Sequence, residues 1–275
     1  MAALPISEIA VLAGTTLAGG LVTGVLAGLF GIGGGGIIVP VLYEVFRALD
    51  VPEAVRMQLC VGTSLAIIVP TAIRSTLAHR ARDMVMADVV RRWALPAVAG
   101  VGAGSVIAAF APPAVFKVAF VMIATIIAAK LLFGRDRWRI AADLPGRIGM
   151  AAYGFLVGLS ASLMGVSGGS VSNMILTLHG RPIHKAVATS AGLGVPITMA
   201  GALGYAVAGL PHQADMPPLS IGFVSFIGVA IMAPVASFTA GYGARLAHAM
   251  PRRRLEIAFA MFLLVVGARF LISML

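Results

Sequence analysis

The sequence predicts an all-α polytopic membrane protein made of two inverted-topology repeats of about five helical segments each. Three observations lead there. The 275 residues are 60% hydrophobic and only 11% charged, with a mean hydropathy of +1.01, whereas soluble domains carry about 25% charged residues. Several apolar stretches reach the roughly 20 residues that cross a bilayer as a helix. Finally, a glycine run, Gly31-Ile32-Gly33-Gly34-Gly35-Gly36, interrupts one apolar segment. Its near-copy, Gly165-Val166-Ser167-Gly168-Gly169-Ser170, interrupts another in the second half. Broken backbone at membrane depth survives only where protein buries it or where it lines a wet cavity.

Ten apolar segments follow one another along the chain. The first five cover roughly 8–30, 35–49, 55–78, 88–110 and 114–133. The second five cover roughly 147–165, 169–179, 184–209, 219–247 and 254–274. Segments 35–49 and 169–179 are too short to span, and each follows a glycine break, so each is read as the second limb of a broken or re-entrant hairpin. Residues 1–133 form the first transmembrane repeat, 134–147 a charged cytoplasmic linker and 148–275 the second repeat. The first segment has no basic residue ahead of it and Glu8 close to its start, so it is expected to be a retained helix, not a cleaved signal.

Basic loops set the orientation. His79 to Arg92, Arg135 to Arg147 and Arg245 to Arg254 are rich in arginine and are expected in the cytoplasm, while the loops around Pro112-Pro113 and Pro211 to Pro218 are nearly free of basic residues and are expected to face out. Both termini are then periplasmic. An odd number of segments per half makes the second half enter from the opposite side, the plan of an inverted pair. Thr63-Ser64 followed by Pro70 recurs as Thr189-Ser190 followed by Pro196 at identical spacing.

The net charge of +10 sits in these loops and sets topology, so nucleic acid is not an expected partner; the lipid bilayer is. One cysteine, Cys60, excludes an internal disulfide and a cysteine-cluster metal site. The histidines lie at segment ends without ligand spacing, so no metal or cofactor is expected. Trp93 and Trp138 flank spans and fit interfacial anchors. Carboxylates are absent from span centres, Glu44 near an outer end being paired with Arg47, so a proton relay or cation site is disfavoured.

What the breaks offer is an anion site. A helix that starts after a glycine run presents unpaired N–H groups and the positive end of its dipole. On this reading Gly33, Gly34, Gly35 and Gly36 form one wall. Ser167, Gly168, Gly169 and Ser170, with the Asn173 amide one turn on, form the other. Thr63, Ser64, Thr189 and Ser190 are expected to turn hydroxyls toward the same cavity. Arg74, Lys117, Lys130 and Arg269 lie near helix ends, where basic chains snorkel; Arg74 is the best placed of them to touch a substrate. Gly165-Val166-Ser167-Gly168 also matches the Gly-x-Ser-Gly of rhomboid-type proteases, but no histidine base lies deep in a later span, and no enzyme is expected.

The doubled glycine motif, each copy following a Gly-x-x-x-Gly-Leu stretch (Gly24 to Leu29 and Gly154 to Leu159), resembles the sulfite exporter TauE/SafE family, and the repeated Thr-Ser pairs do too. The likeness covers essentially the whole chain. It implies a bacterial inner-membrane carrier of sulfur-containing anions such as sulfite, sulfoacetate, other organosulfonates or thiosulfate-like compounds. By the same likeness the anion site maps to the glycines and hydroxyls just named. Two departures stand out: Val39-Pro40 follows the first glycines but Ser172-Asn173-Met174 the second, and Ser167 replaces a motif glycine, so the second wall is expected to be the more polar. A small anion moved outward by alternating access is the leading expectation. An anion channel, an uptake permease and a membrane assembly factor with a non-transporting cleft stay open, as does a homodimer.

Overall fold

The computed structural model describes residues 14, 16–26, 35–80, 84–134, 140–141 and 143–274. It is a helical bundle. Its elements are α1 (Thr16–Leu26), then α2 (Gly35–Ala48), α3 (Glu53–Arg80), α4 (Ala87–Phe110) and α5 (Pro113–Phe133). The second half holds α6 (Arg147–Met164), α7 (Gly169–Leu178), α8 (Ile183–Ala208), α9 (Phe226–His248) and α10 (Arg252–Ile272). Among the described residues, six helices of 18 to 28 residues are long and apolar enough to cross a bilayer. Exposed Leu95, Val106, Phe110, Met122, Leu203 and Val265 give the bundle an apolar outer surface, as lipid requires.

The short helices double back. Tyr153, in the second turn of α6, meets His179 just past the end of α7, with ring centroids 5.4 Å apart. The N–H of Ile140, in the segment between α5 and α6, donates to the Leu178 carbonyl at 2.8 Å. Hence α6 and α7 enter and leave at the same end, which is a re-entrant hairpin and not one broken span. The first half matches it: Gly19 near the start of α1 faces Val41 and Val45 toward the end of α2. Backbone N–H and C=O groups freed at the second break lie inside the bundle.

Arg253 of α10 donates to the Leu131 and Leu132 carbonyls at 2.7 and 2.6 Å, tying the arginine-rich start of α10 to the end of α5. The ends bearing Arg80, Arg91, Arg92, Arg147 and Arg253 share one side, the basic end. At the opposite end Glu53 forms a cluster, accepting from the Tyr43 hydroxyl at 3.0 Å, from Arg56 at 2.7 Å and from the ammonium of Lys117.

Three expectations need correction. Lys117 does not snorkel to an interface: its side chain is 3% exposed because Glu53 and the Tyr43 ring offer it a better partner than lipid headgroups. Trp93 is no interfacial anchor either. It is fully buried, its indole N–H directed at the Met150 sulfur at 3.3 Å, where α6 packs against α4; Trp138 lies outside the described residues. Finally, the segment expected from 219 starts as a hairpin, Ser220–Ile221 paired with Val224–Ser225, and becomes helical only at Phe226.

Candidate functional site

The helix starts that follow the two glycine runs border one space. One cavity is lined by Gly36 and Ile37 of α2, by Met164 and Val166 at the α6–α7 turn, and by Ser170 and Val171 of α7. Ile127 of α5 and Phe259 and Leu263 of α10 close it. The first turns of two oppositely running short helices therefore border the same space.

Local geometry explains the glycines of the second break. Gly165 ends α6 in the left-handed region (φ +68°), where its lack of a side chain carries no penalty. A Cβ there would lie 2.6 Å from Val39 Cγ2 and 3.0 Å from Val61 Cα. Gly168, which precedes α7, has φ +75°, and a Cβ would meet Val157 at 2.9 Å. Gly169 and Ser170 open α7, so their N–H groups have no intrahelical acceptor. Ser167 turns toward Gly194 of α8, not into the cavity lining. Asn173 keeps its Oδ1 buried and without a partner among the described residues.

On the first wall, Gly35 and Gly36 open α2, and Gly33 and Gly34 lie outside the described residues. Pro40, inside α2, has no N–H to give the Gly36 carbonyl. The start of α2 thus lacks one regular intrahelical bond, whereas α7 places Ser170 at the cavity and carries the Asn173 amide one turn further on.

The four expected cavity hydroxyls are otherwise engaged. Ser64 Oγ donates to the Gly165 carbonyl at 2.7 Å and Ser190 Oγ to its own helix at Val187, 2.9 Å. Thr63 Oγ1 accepts the Ser225 N–H at 3.0 Å, and Thr189 Oγ1 accepts the Met86 N–H at 3.0 Å. All four residues are buried and none borders the cavity. Their spacing reflects loop anchoring: in a bilayer a backbone N–H just ahead of a helix needs an acceptor, and a threonine of a neighbouring helix supplies it. Only Ser64 touches the second break. Arg74 is exposed on α3, apart from the cavity.

Sequence reasoning missed the apolar wall formed by Ile127, Phe259 and Leu263. Nothing distinguishes these residues from lipid-facing ones in an apolar helix, and only the approach of α5 to α10 assigns them. It also missed the partner of Lys130, whose Nζ donates to Thr177 Oγ1 on α7 at 2.8 Å.

A family model described as sulfite exporter TauE/SafE matches residues 16–270. A probable membrane transporter protein of Haemophilus influenzae is 29% identical over 248 residues, which is 90% of this chain and 94% of that protein. Probable membrane transporter proteins of Methanocaldococcus jannaschii and Bacillus subtilis are each 26% identical, over 90% and 91% of this chain and 91% and 94% of theirs. No solved structure matches. With the family model spanning nearly the whole bundle, both breaks included, the chain belongs to the sulfite exporter TauE/SafE family of membrane transporters.

Proposed function

We propose that the protein is a carrier for a small sulfur-containing anion, sulfite or an organosulfonate, which it moves out of the bacterial cytoplasm across the inner membrane by alternating access. The observation that carries the reading is the shared cavity, where the starts of α2 and α7 face one another through Gly36 and Ser170. Helix starts attract negative charge through their free N–H groups and dipoles, most strongly in a low-dielectric interior. Membership of a sulfite exporter family supports the choice of anion.

An inverted pair of repeats supplies the rocking. Its support is an exchange: Thr63 of α3 holds the residue before α9, and Thr189 of α8 holds the residue before α4. A two-fold relation that swaps the halves carries one contact into the other. The cytoplasm-negative potential drives an anion outward by roughly 2.3 kcal/mol per charge per 100 mV, so export needs no coupling ion.

The purified protein in detergent, heated with sulfite, sulfoacetate, thiosulfate, sulfate or acetate in turn, tests the substrate class. A ligand that binds only the folded state raises Tm by mass action. The expected result is a rise of several degrees with sulfite or sulfoacetate and none with acetate, together with saturable sulfite efflux from proteoliposomes. Equal stabilisation by acetate and sulfate overturns the substrate class, and unsaturable conductance overturns the carrier in favour of a channel.

A further inference from the structure

Lys130 is a cation in a membrane helix with no carboxylate in reach among the described residues. It lies half-buried 17 residues past Pro113 on α5, one turn beyond the cavity-lining Ile127 and toward the basic end. Its Nζ donates to the Thr177 hydroxyl, which itself donates to the Asn173 carbonyl at 2.8 Å. Ser170, Asn173 and Thr177 stand at i, i+3 and i+7 on one face of α7, a polar stripe roughly 10 Å long at 1.5 Å per residue. It begins at the cavity and ends at Lys130. Asn173 Oδ1, midway, is buried and unpartnered among the described residues, a polar group that lipid-facing structure would not leave idle.

The other end of the molecule is different. Arg269 lies 17 residues past Arg252 on α10, the same position in its helix that Lys130 has in α5, and it faces α2 as Lys130 faces α7. There Glu44 accepts from Arg269 at 3.4 Å and from Arg47 at 3.0 Å. The cation on the α2 side is neutralised; the cation on the α7 side is bridged only to a hydroxyl among the described residues. An incoming oxyanion can take the place of that hydroxyl, because a charged acceptor outcompetes a neutral one for an ammonium.

Building on the carrier reading, we infer that Lys130 receives the oxyanion at the basic end and that Thr177, Asn173 and Ser170 line its route to the cavity. Lys130 acts before the cavity is reached. Its neutralisation therefore affects entry from one side and spares occupancy of the cavity.

Two measurements test this. Asn173→Cys is exposed from the basic end to an anionic and a cationic methanethiosulfonate of similar size; the native Cys60 is fully buried. The anionic reagent reacts faster, and adding Lys130→Met lowers the anionic-to-cationic rate ratio by about tenfold or more, as expected for removing a unit charge from a poorly screened site. Lys130→Arg restores the ratio. Absence of modification from that end, or a ratio indifferent to Lys130→Met, overturns the inference. In oriented proteoliposomes, Lys130→Met raises the KM for sulfite at the basic end several-fold and leaves the KM at the other end unchanged. A KM that Lys130→Met shifts equally at both ends, or at neither, overturns the inference while the carrier reading stands. No sulfite flux in the unmodified protein overturns the carrier reading, and the thiol rates still decide whether Lys130 draws anions into the stripe.

Discussion

Ser64 reaches across 101 positions of sequence to hold the Gly165 carbonyl. Gly165 needs that support, because its left-handed backbone turns α6 into α7 with Val39 and Val61 pressed against it. The two residues do different physical work, and their substitutions separate it. Ser64→Ala removes one hydroxyl bond, which inside a membrane protein is worth about 0.6 kcal/mol on average and up to ~1.7. Gly165→Ala adds a Cβ in an unfavourable region and against packed atoms, a cost of about 1–3 kcal/mol for the backbone alone. Thermal unfolding in detergent is expected to show a small loss for Ser64→Ala and a larger one for Gly165→Ala, with sulfite stabilisation weakened in the second. Equal stability of the Gly165→Ala protein and the unmodified one would show that the turn tolerates a side chain.

Helices α4 and α6 show how elements of this fold are matched. Side chains added at Gly100, Gly154 or Gly158 would run into the Phe155, Trp93 and Ala97 carbonyls of the facing helix. Small residues let two backbones come close, and van der Waals contact then replaces the hydrophobic drive that lipid does not provide. Gly158→Leu is expected to abolish folding, read as loss of a monodisperse peak after detergent extraction. Gly102→Ala, where nothing lies within 4 Å, leaves the peak unchanged. The Gly154–Gly158 spacing is visible in the sequence, but its partner helix is not, since any apolar helix with glycines would serve. The re-entrant limbs α2 and α7 are legible, because an apolar segment too short to span must turn back once a glycine run has broken the backbone ahead of it. The hairpin at Ser220–Ser225 is not: two-residue strands leave no period to read. Trp93 and Lys117 escape the sequence for a common reason, since position along a helix says nothing about which neighbour buries its face.

At the scale of the whole molecule, the cavity belongs to neither half. Residues of α2, α5, α7 and α10 and of the α6–α7 turn border it; the starts of α2 and α7 follow glycine runs that the sequence displays, while the walls of α5 and α10 stay hidden. The Thr-Ser pairs are plain as a repeat, yet their surroundings are not, because a buried hydroxyl that satisfies a loop and one that faces a ligand look alike in one dimension. If transport requires the two short helices to separate, a bifunctional thiol reagent bridging Ile37→Cys and Val171→Cys stops sulfite flux, and reduction of a cleavable bridge restores it. Undiminished flux through the bridged protein would mean that the helix starts stay together throughout the cycle. The long-range bonds also carry a timetable. Thr189 finds its partner Met86 already made, 103 residues upstream, whereas Thr63 and Ser64 wait for Ser225 and Gly165, 162 and 101 residues downstream. Because a chain is made from its N-terminus, the donor and the acceptor that Thr63 and Ser64 meet in the finished bundle exist only once the C-terminal half has been made.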